Sequence, residues 1–211
     1  VLNMDHMFFK CINFNQNLSS WNVSNVEYMS LIFAGCKIFN QNINTWKTES
    51  LRELHNAFNS CLLFNQPLDK WNISKVKNLN AVFDGAKSFN QPLNNWDVSN
   101  VKNMNHMFNS SYFDGDIGFW NLDKLATMMD MFFDNQSFDL SKLNVRDVNI
   151  WPLVRISICF GLIANRYNVG TFVNEKKGNT VFDELYGFLK LSTQKNGVIY
   201  KSDTIAKSSV K

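Results

Sequence analysis

The stretch FNQPLNNWDVSNVKNMNHMF, from Phe89 to Phe108, decides the fold because versions of it recur along the chain. Each copy begins with a Phe followed by Asn-Gln, and the copies are 25 residues apart. A fixed period between about 20 and 50 residues is typical of proteins whose repeats stack on one another. The sequence therefore predicts a solenoid. The repeated aromatic residues are Phe14, Phe39, Phe64 and Phe89; Trp21, Trp46, Trp71 and Trp96; and Phe8, Phe33, Phe58, Phe83 and Phe108.

Two apolar patterns follow each other within a copy. Trp96 and Val98 are two residues apart, which is the period of a strand. The segment 101–108 has apolar residues at spacings of three, three and one, which favour one face of a short helix that Ser99 can cap. We therefore expect the α/β class: a right-handed solenoid of about six short strand–helix coils with stacked Trp, Phe, Met and Leu side chains and a C-terminal capping region.

Three copies carry a family resemblance. They are WNVSNVEYMSLIF at 21–33, WNISKVKNLNAVF at 71–83 and WDVSNVKNMNHMF at 96–108, each preceded by FNQ. These segments resemble the surface-protein repeat of BspA-like leucine-rich-repeat proteins. The resemblance implies an LRR-like solenoid on a cell-surface or secreted protein that binds or adheres. Because similar repeats occur in protists and large DNA viruses, it implies a virion or intracellular location as the alternative.

The chain divides where the repeat fades. Residues 1–149 have a net charge of −2, whereas residues 150–211 have a net charge of +5. We expect a repeat solenoid over 1–149 and a cap or extension of unknown type over 150–211. The basic character of the second part is typical of a solvated surface, so we expect no nucleic-acid partner. The apolar run 150–164 contains Pro152 and Arg155 and is too short to span a bilayer.

The outward residues of the predicted strands are the candidate binding site. They flank the repeated Trp and lie on the extended face that stacked repeats use for binding. The alternative for any one of them is a solvated surface residue. The candidates are Lys47, Lys70, Asn72, Asn95, Asp97, Phe119 and Asn121.

Two functions agree with this surface. The first is a non-catalytic recognition or adhesion module that binds a protein or glycan. The second is an architectural component that packs laterally with its own copies in a surface layer or a viral or cellular shell. A large apolar outer patch would favour assembly, and a polar surface would favour ligand binding. We expect no enzyme, cofactor or metal, because the sequence has no phosphate loop and no paired acid and base.

Three cysteines, Cys11, Cys36 and Cys61, also keep the 25-residue spacing. Stacked positions are about 4.8 Å apart, which is compatible with a disulfide between two of them. Ala86 and Ser111 occupy the same position in later copies, so small size is the shared property. The pattern therefore favours a ladder of buried, reduced thiols.

The Asn-Gln pairs that begin the copies have two interpretations. They form either a polar binding ladder or a ladder of amides that bond the turn backbone from coil to coil. The second is favoured because buried backbone groups need partners. The pairs are at 15–16, 40–41, 65–66 and 90–91.

Overall fold

The computed structural model of the protein describes residues 1–135, 137 and 138. The predicted domain at 150–211 lies outside these residues. The 25-residue copies stack in parallel, and backbone N–H groups of one copy donate to carbonyls of the next. The period of the sequence is therefore the period of the stack. We number the coils in order: residues 14–38 form coil 1, 39–63 coil 2, 64–88 coil 3, 89–112 coil 4 and 113–135 coil 5, and residues 1–13 form a partial coil before them.

The predicted α/β class is wrong for the described part of the chain. That part contains no helix, and its β structure is limited to isolated parallel bridges with one residue per coil. The coils consist of turns and extended residues, so the expected strand–helix coils of the LRR type do not form. The bridges join Asn3 to Tyr28, Tyr28 to Glu53, Asn78 to Asn103, and Asn103 to Thr127.

Two positions of each coil have positive φ angles, and the first of them lies inside the predicted helix and excludes it. In coil 4, His106 has φ of 55° and Ser110 has φ of 50°. An α-helix needs φ near about −63°, so one left-handed residue interrupts its hydrogen bonds. The two positions recur through the stack as His6, Leu31, Asn56, Ala81, His106 and Asp130, and as Lys10, Gly35, Ser60, Gly85, Ser110 and Asp134.

Turns replace the helix, and neighbouring backbone N–H groups donate alternately within their own coil and to the next coil. Met107 N–H donates to the Met104 carbonyl within coil 4 at 3.3 Å. His106 N–H donates instead to the Met129 carbonyl of coil 5 at 2.9 Å. This alternation satisfies the buried backbone without a helix. The apolar residues three apart, which predicted a helical face, instead lie in these successive turns.

The predicted helix cap is also wrong. Ser99 donates its backbone N–H to Asp97 Oδ1 at 3.0 Å, and Ser74 donates to Asn72 Oδ1 at 3.0 Å. Both arrangements are Asx turns, in which a side chain accepts from the backbone two residues later. The serines therefore stabilise a corner of the coil instead of a helix N-terminus.

Phe rings form two adjacent columns in the core. Phe83 stacks on Phe89 of the next coil with ring centroids 3.9 Å apart. It also stacks on Phe58 at 5.6 Å and on Phe108 at 5.7 Å in its own column. Stacked aromatic pairs gain energy beyond the burial of their area. The predicted Phe ladder is therefore confirmed.

The buried Trp side chains add a polar bond between neighbouring coils. Trp71 is buried, and its Nε1–H donates to the Ile43 carbonyl of the previous coil at 3.0 Å. A buried indole N–H needs such a partner. Trp21 in coil 1 is 40% exposed and has no such bond among the described residues. The corresponding pairs are Trp46 with Leu18, Trp96 with Leu68 and Trp120 with Leu93, at 2.9–3.1 Å.

The Asn-Gln pairs form the structural ladder that the sequence favoured. Asn65 Oδ1 accepts from Asn90 N–H and from Gln91 Nε2, both at 3.0 Å. Asn65 N–H donates in turn to Asn40 Oδ1 at 2.9 Å. Since each amide oxygen holds the next coil, this prediction is confirmed.

The cysteine ladder is partly as predicted. Cys36 and Cys61 are buried, and each thiol donates a hydrogen bond to a carbonyl of the previous coil. Cys36 Sγ lies 3.0 Å from the Phe8 oxygen, and Cys61 Sγ lies 2.9 Å from the Phe33 oxygen. Cys11 is exposed, so the prediction of burial is wrong for this residue. Burial, with a smaller contribution from Cys11, raises the pKa of the Cys36 thiol to about 12, and burial raises that of Cys61 well above its usual value.

We expect Cys36 and Cys61 to resist alkylation in the folded protein. The thiolate is the reactive form, and burial suppresses it at both sites. Iodoacetamide at pH 8 without reductant should label Cys11 in the native state. It should label Cys36 and Cys61 only after urea is added, as peptide mass spectrometry would show. A disulfide between Cys36 and either neighbour would contradict the reduced ladder.

One boundary in the stack lacks part of the backbone ladder. Lys102 and Asn103 N–H both donate to the Lys77 carbonyl, at 2.8 and 3.4 Å, and other boundaries repeat this pair of bonds. Within the described chain, Lys77 and Asn78 make no such bonds to coil 2. The ladder is therefore interrupted between coils 2 and 3.

Candidate functional site

The seven predicted site residues are all exposed. Asn72 is exposed between the buried residues Trp71 and Ile73 of coil 3. The same alternation holds around Asp97 in coil 4. Although these segments form no strand, extended backbone still places successive side chains on opposite sides. The period-two pattern therefore predicted exposure correctly for these positions.

An open depression of about 440 Å³ lies on coils 3 and 4 and brings four of the seven together. Lys70 and Asn72 come from coil 3, and Asn95 and Asp97 come from coil 4. The other three predicted residues do not line it. They are Lys47 on coil 2 and Phe119 and Asn121 on coil 5.

Asn72 is held in place by its neighbours on two coils. Its Oδ1 accepts from Ser74 N–H at 3.0 Å and from the Ser74 hydroxyl at 2.8 Å. Its backbone N–H donates to Thr48 Oγ1 of coil 2 at 2.8 Å. Among the described residues its Nδ2 has no acceptor. This fixed amide can therefore donate to a ligand.

Opposite charges face the same depression. The Ser99 hydroxyl and N–H hold the pKa of the Asp97 carboxyl below its usual range, so Asp97 is ionised at neutral pH. Neither Lys70 Nζ nor the Asn95 amide has a polar side-chain partner in the part of the chain that is described. A cation, an anion and two amides thus lie within one concave surface. The arrangement suits a polar ligand that both donates and accepts hydrogen bonds.

Sequence reasoning missed one polar residue of the depression. Asp69 lines it, and its Oδ1 accepts from Asn44 Nδ2 at 2.8 Å. Ser74, an outward position of the predicted strand, also lines it. The period-two pattern identifies outward positions along one coil. It carries no signal for Asp69, because the depression arises from the stacking of coils.

A second polar cluster is structural. The Asp84 carboxylate accepts from Asn59 Nδ2 at 3.2 Å and from Asn109 Nδ2 at 2.9 Å, so it joins three coils. Burial raises the pKa of this carboxyl, and the two amides oppose that shift. Across residues 1–135, 137 and 138, no group of three or more His, Cys, Asp or Glu side chains could hold a metal ion.

The columns of Phe, Trp and Asn and the exposed polar depression define a repeat protein with a stacked aromatic core. The chain belongs to the family described as Mycoplasma protein of unknown function, DUF285, which matches residues 1–80 and 52–152. No curated protein and no solved structure matches it. The described residues include no helix long and apolar enough to cross a membrane.

Proposed function

We propose that the chain is a non-catalytic recognition module that binds a protein or glycan through the depression on coils 3 and 4. The observation that supports this is the convergence of Lys70, Asn72, Asn95 and Asp97, whose polar groups are available to a ligand. Two adjacent coils hold them on a scaffold with a continuous aromatic core. Such preorganised groups lower the entropic cost of binding.

The polar character of the depression supports ligand binding at this place over assembly through it. The residues that line the depression are mostly polar, and Phe119, at 81% exposed, lies outside it. A large apolar patch would be expected of an assembly contact. The shallow, polar shape suits a hydroxylated or peptide-like partner.

The repeat sequence also supports a proposal about location. We propose a cell-surface or secreted protein related to the BspA-like repeat proteins, with a virion or an intracellular site as the alternative. The segments at 21–33, 71–83 and 96–108 support this relationship. It rests on those sequences and not on a strand–helix coil.

Binding can be tested with defined probes. The purified chain would be applied to a printed oligosaccharide array and to a peptide array, and the dissociation constant of each bound member would be measured. We expect Lys70→Ala combined with Asp97→Ala to raise it at least about tenfold, because a hydrogen bond to a charged group contributes about 1.5–3 kcal/mol. Lys87→Ala changes an exposed lysine outside the depression and should leave it unchanged.

Unchanged binding would place the binding site elsewhere on the chain. If Lys70→Ala with Asp97→Ala binds as tightly as the wild type, the depression is not where the partner binds. Thermal unfolding of both variants would show that they are folded, since these exposed side chains lie outside the core.

A further inference from the structure

One corner of the stack carries nine charged residues that the depression does not use. A β-turn forms this corner in every coil, as where Val76 N–H donates to the Ile73 carbonyl at 2.8 Å. The middle residue of each corner segment is buried, and its charged residues are exposed or half-buried. We call this surface the corner ridge. It consists of residues 24–28, 49–53, 74–78, 99–103 and 123–127.

Charge is segregated along the corner ridge. The segments of coils 1 and 2 each have a net charge of −1, whereas those of coils 3 and 4 have +2 and +1. The segment of coil 5 is neutral. The charged residues in order are Glu27; Glu49, Arg52 and Glu53; Lys75 and Lys77; Lys102; and Asp123 and Lys124.

Contacts within the chain leave much of this charge uncompensated. Glu27 pairs with Arg52 at 3.1 Å. Lys77 and Lys102, by contrast, have no ion pair or side-chain hydrogen bond among the described residues. They lie on adjacent coils, joined by the bond from Lys102 N–H to the Lys77 carbonyl, so like charges are held close together. Their mutual repulsion is relieved only by an external partner or by solvent and salt.

We propose that the corner ridge is a self-complementary contact through which two copies of the chain pair antiparallel about a two-fold axis. With the axis between coils 2 and 3, coil 2 of one copy faces coil 3 of the other, and coil 1 faces coil 4. Each negative segment then meets a positive one, and the neutral coil 5 segment meets residues 1–3, which carry no charged side chain. A two-fold contact repeats every such pair.

Three other positions of the axis place like charges together. An axis through coil 3 would set its two lysines against the same two lysines of the second copy. An axis between coils 3 and 4 would oppose two positive segments, and one between coils 1 and 2 would oppose two negative segments. The order of charges along the ridge therefore favours the register with the axis between coils 2 and 3.

The interruption of the backbone hydrogen bonds lies at the same axis. The ladder interruption lies between coils 2 and 3, where Lys77 and Asn78 N–H make no bond to coil 2 within the described chain. The axis thus coincides with the one ridge boundary, among those described, where this pair of backbone bonds is missing.

Sedimentation velocity over a concentration series tests the pairing. At about 10 mM NaCl the Debye length is about 30 Å, and at about 500 mM it is well below about 10 Å. We expect a monomer–dimer equilibrium at the lower salt and a dissociation constant at least about tenfold higher at the higher salt. The contact and the depression share only Ser74, and the charged residues of the contact do not line the depression. Failure of the pairing would therefore leave the proposed binding site standing.

A charge exchange gives the decisive comparison. Lys75→Glu with Lys77→Glu makes coils 2 and 3 both negative, and Glu49→Lys with Glu53→Lys makes both positive. Each variant alone should dimerise at least about tenfold more weakly than the wild type. An equimolar mixture should regain a dimer, because every facing pair is again opposite in charge. Lys37→Glu with Lys87→Glu reverses two exposed charges off the ridge and should dimerise as the wild type does.

Several outcomes would overturn the proposal. These are a monomer at both salt concentrations, unchanged dimerisation of the reversed variants, or a mixture that stays monomeric while thermal unfolding shows both components to be folded. Binding of poly-L-glutamate through Lys75 and Lys77, with no self-association, would instead assign the ridge to an anionic partner.

Discussion

Trp71→Ala is expected to lower the free energy of unfolding by about 3–5 kcal/mol, because truncation of a buried aromatic residue loses transfer energy and leaves a cavity. Trp71 is 2% exposed. Its ring stacks on Trp46 at 5.9 Å and lies 6.0 Å from Phe58. Each coil is held by its two neighbours alone, so a defect in the middle of the stack weakens both interfaces. Urea unfolding followed by fluorescence would measure the change.

Two Trp residues at the same repeat position are matched controls. Trp21 is 40% exposed, so Trp21→Ala should cost much less than Trp71→Ala. Trp120 is buried but belongs to the divergent coil 5, and its substitution should have an intermediate effect. Trp71→Phe keeps most of the apolar volume and loses the indole bond to the Ile43 carbonyl. That carbonyl still accepts from the backbone N–H of Trp46 at 3.1 Å. If Trp71→Ala unfolds at the wild-type urea concentration, the Trp column is not part of the core.

The side-chain columns were predictable because every copy of the repeat places its equivalent residues in the same environment. Residues that recur at one period must stack when coils of equal length are placed on one another, whatever the backbone conformation of the coil. Phe83, Trp71 and Asn65 therefore occupy the columns that their spacing predicts. The period fixed which residues are neighbours but not the dihedral angles that connect them.

The helix was predicted wrongly because two structures share one spacing. Apolar residues three apart mark a helical face, but they also occur in successive turns that each close on the residue three positions earlier. Gly35 and Gly85, at one repeat position, were the available signal for left-handed backbone. Leu31 and Ala81 obscured the signal at the other position, since such residues rarely adopt positive φ.

The site was only partly predictable. Exposure of Lys70 and Asp97 follows from alternation along each coil, which sequence can show. Their meeting in one depression depends on how coils 3 and 4 lie against each other, and so does the participation of Asp69. Lys47 has the same sequence pattern and lies outside it. A pattern within one coil cannot distinguish these cases, because the depression is a property of two coils.

Substitution of Gly85 tests the left-handed backbone at the second recurring position by the sign of its effect. In right-handed backbone, Gly→Ala would stabilise by about 0.4–1 kcal/mol. Gly85 instead has φ of 67°, where an L-residue costs roughly 1–2 kcal/mol. A Cβ added there would lie 3.4 Å from Ser60 Oγ, an ordinary contact, so the cost comes from the backbone. We therefore expect Gly85→Ala to lower the free energy of unfolding by about 1–2 kcal/mol.

The reverse substitution at the same repeat position is the matched control. Ser110 has φ of 50°, and its hydroxyl makes only long hydrogen bonds, at 3.4 Å to Asn109 Oδ1 and to Asp134 Oδ2. Ser110→Gly relieves the left-handed strain, so we expect it to stabilise by up to about 1 kcal/mol in urea unfolding. Right-handed backbone would give the opposite signs for both variants, because Gly then only adds conformational entropy to the unfolded chain. Stabilisation by Gly85→Ala together with destabilisation by Ser110→Gly would therefore contradict the left-handed backbone described at this repeat position.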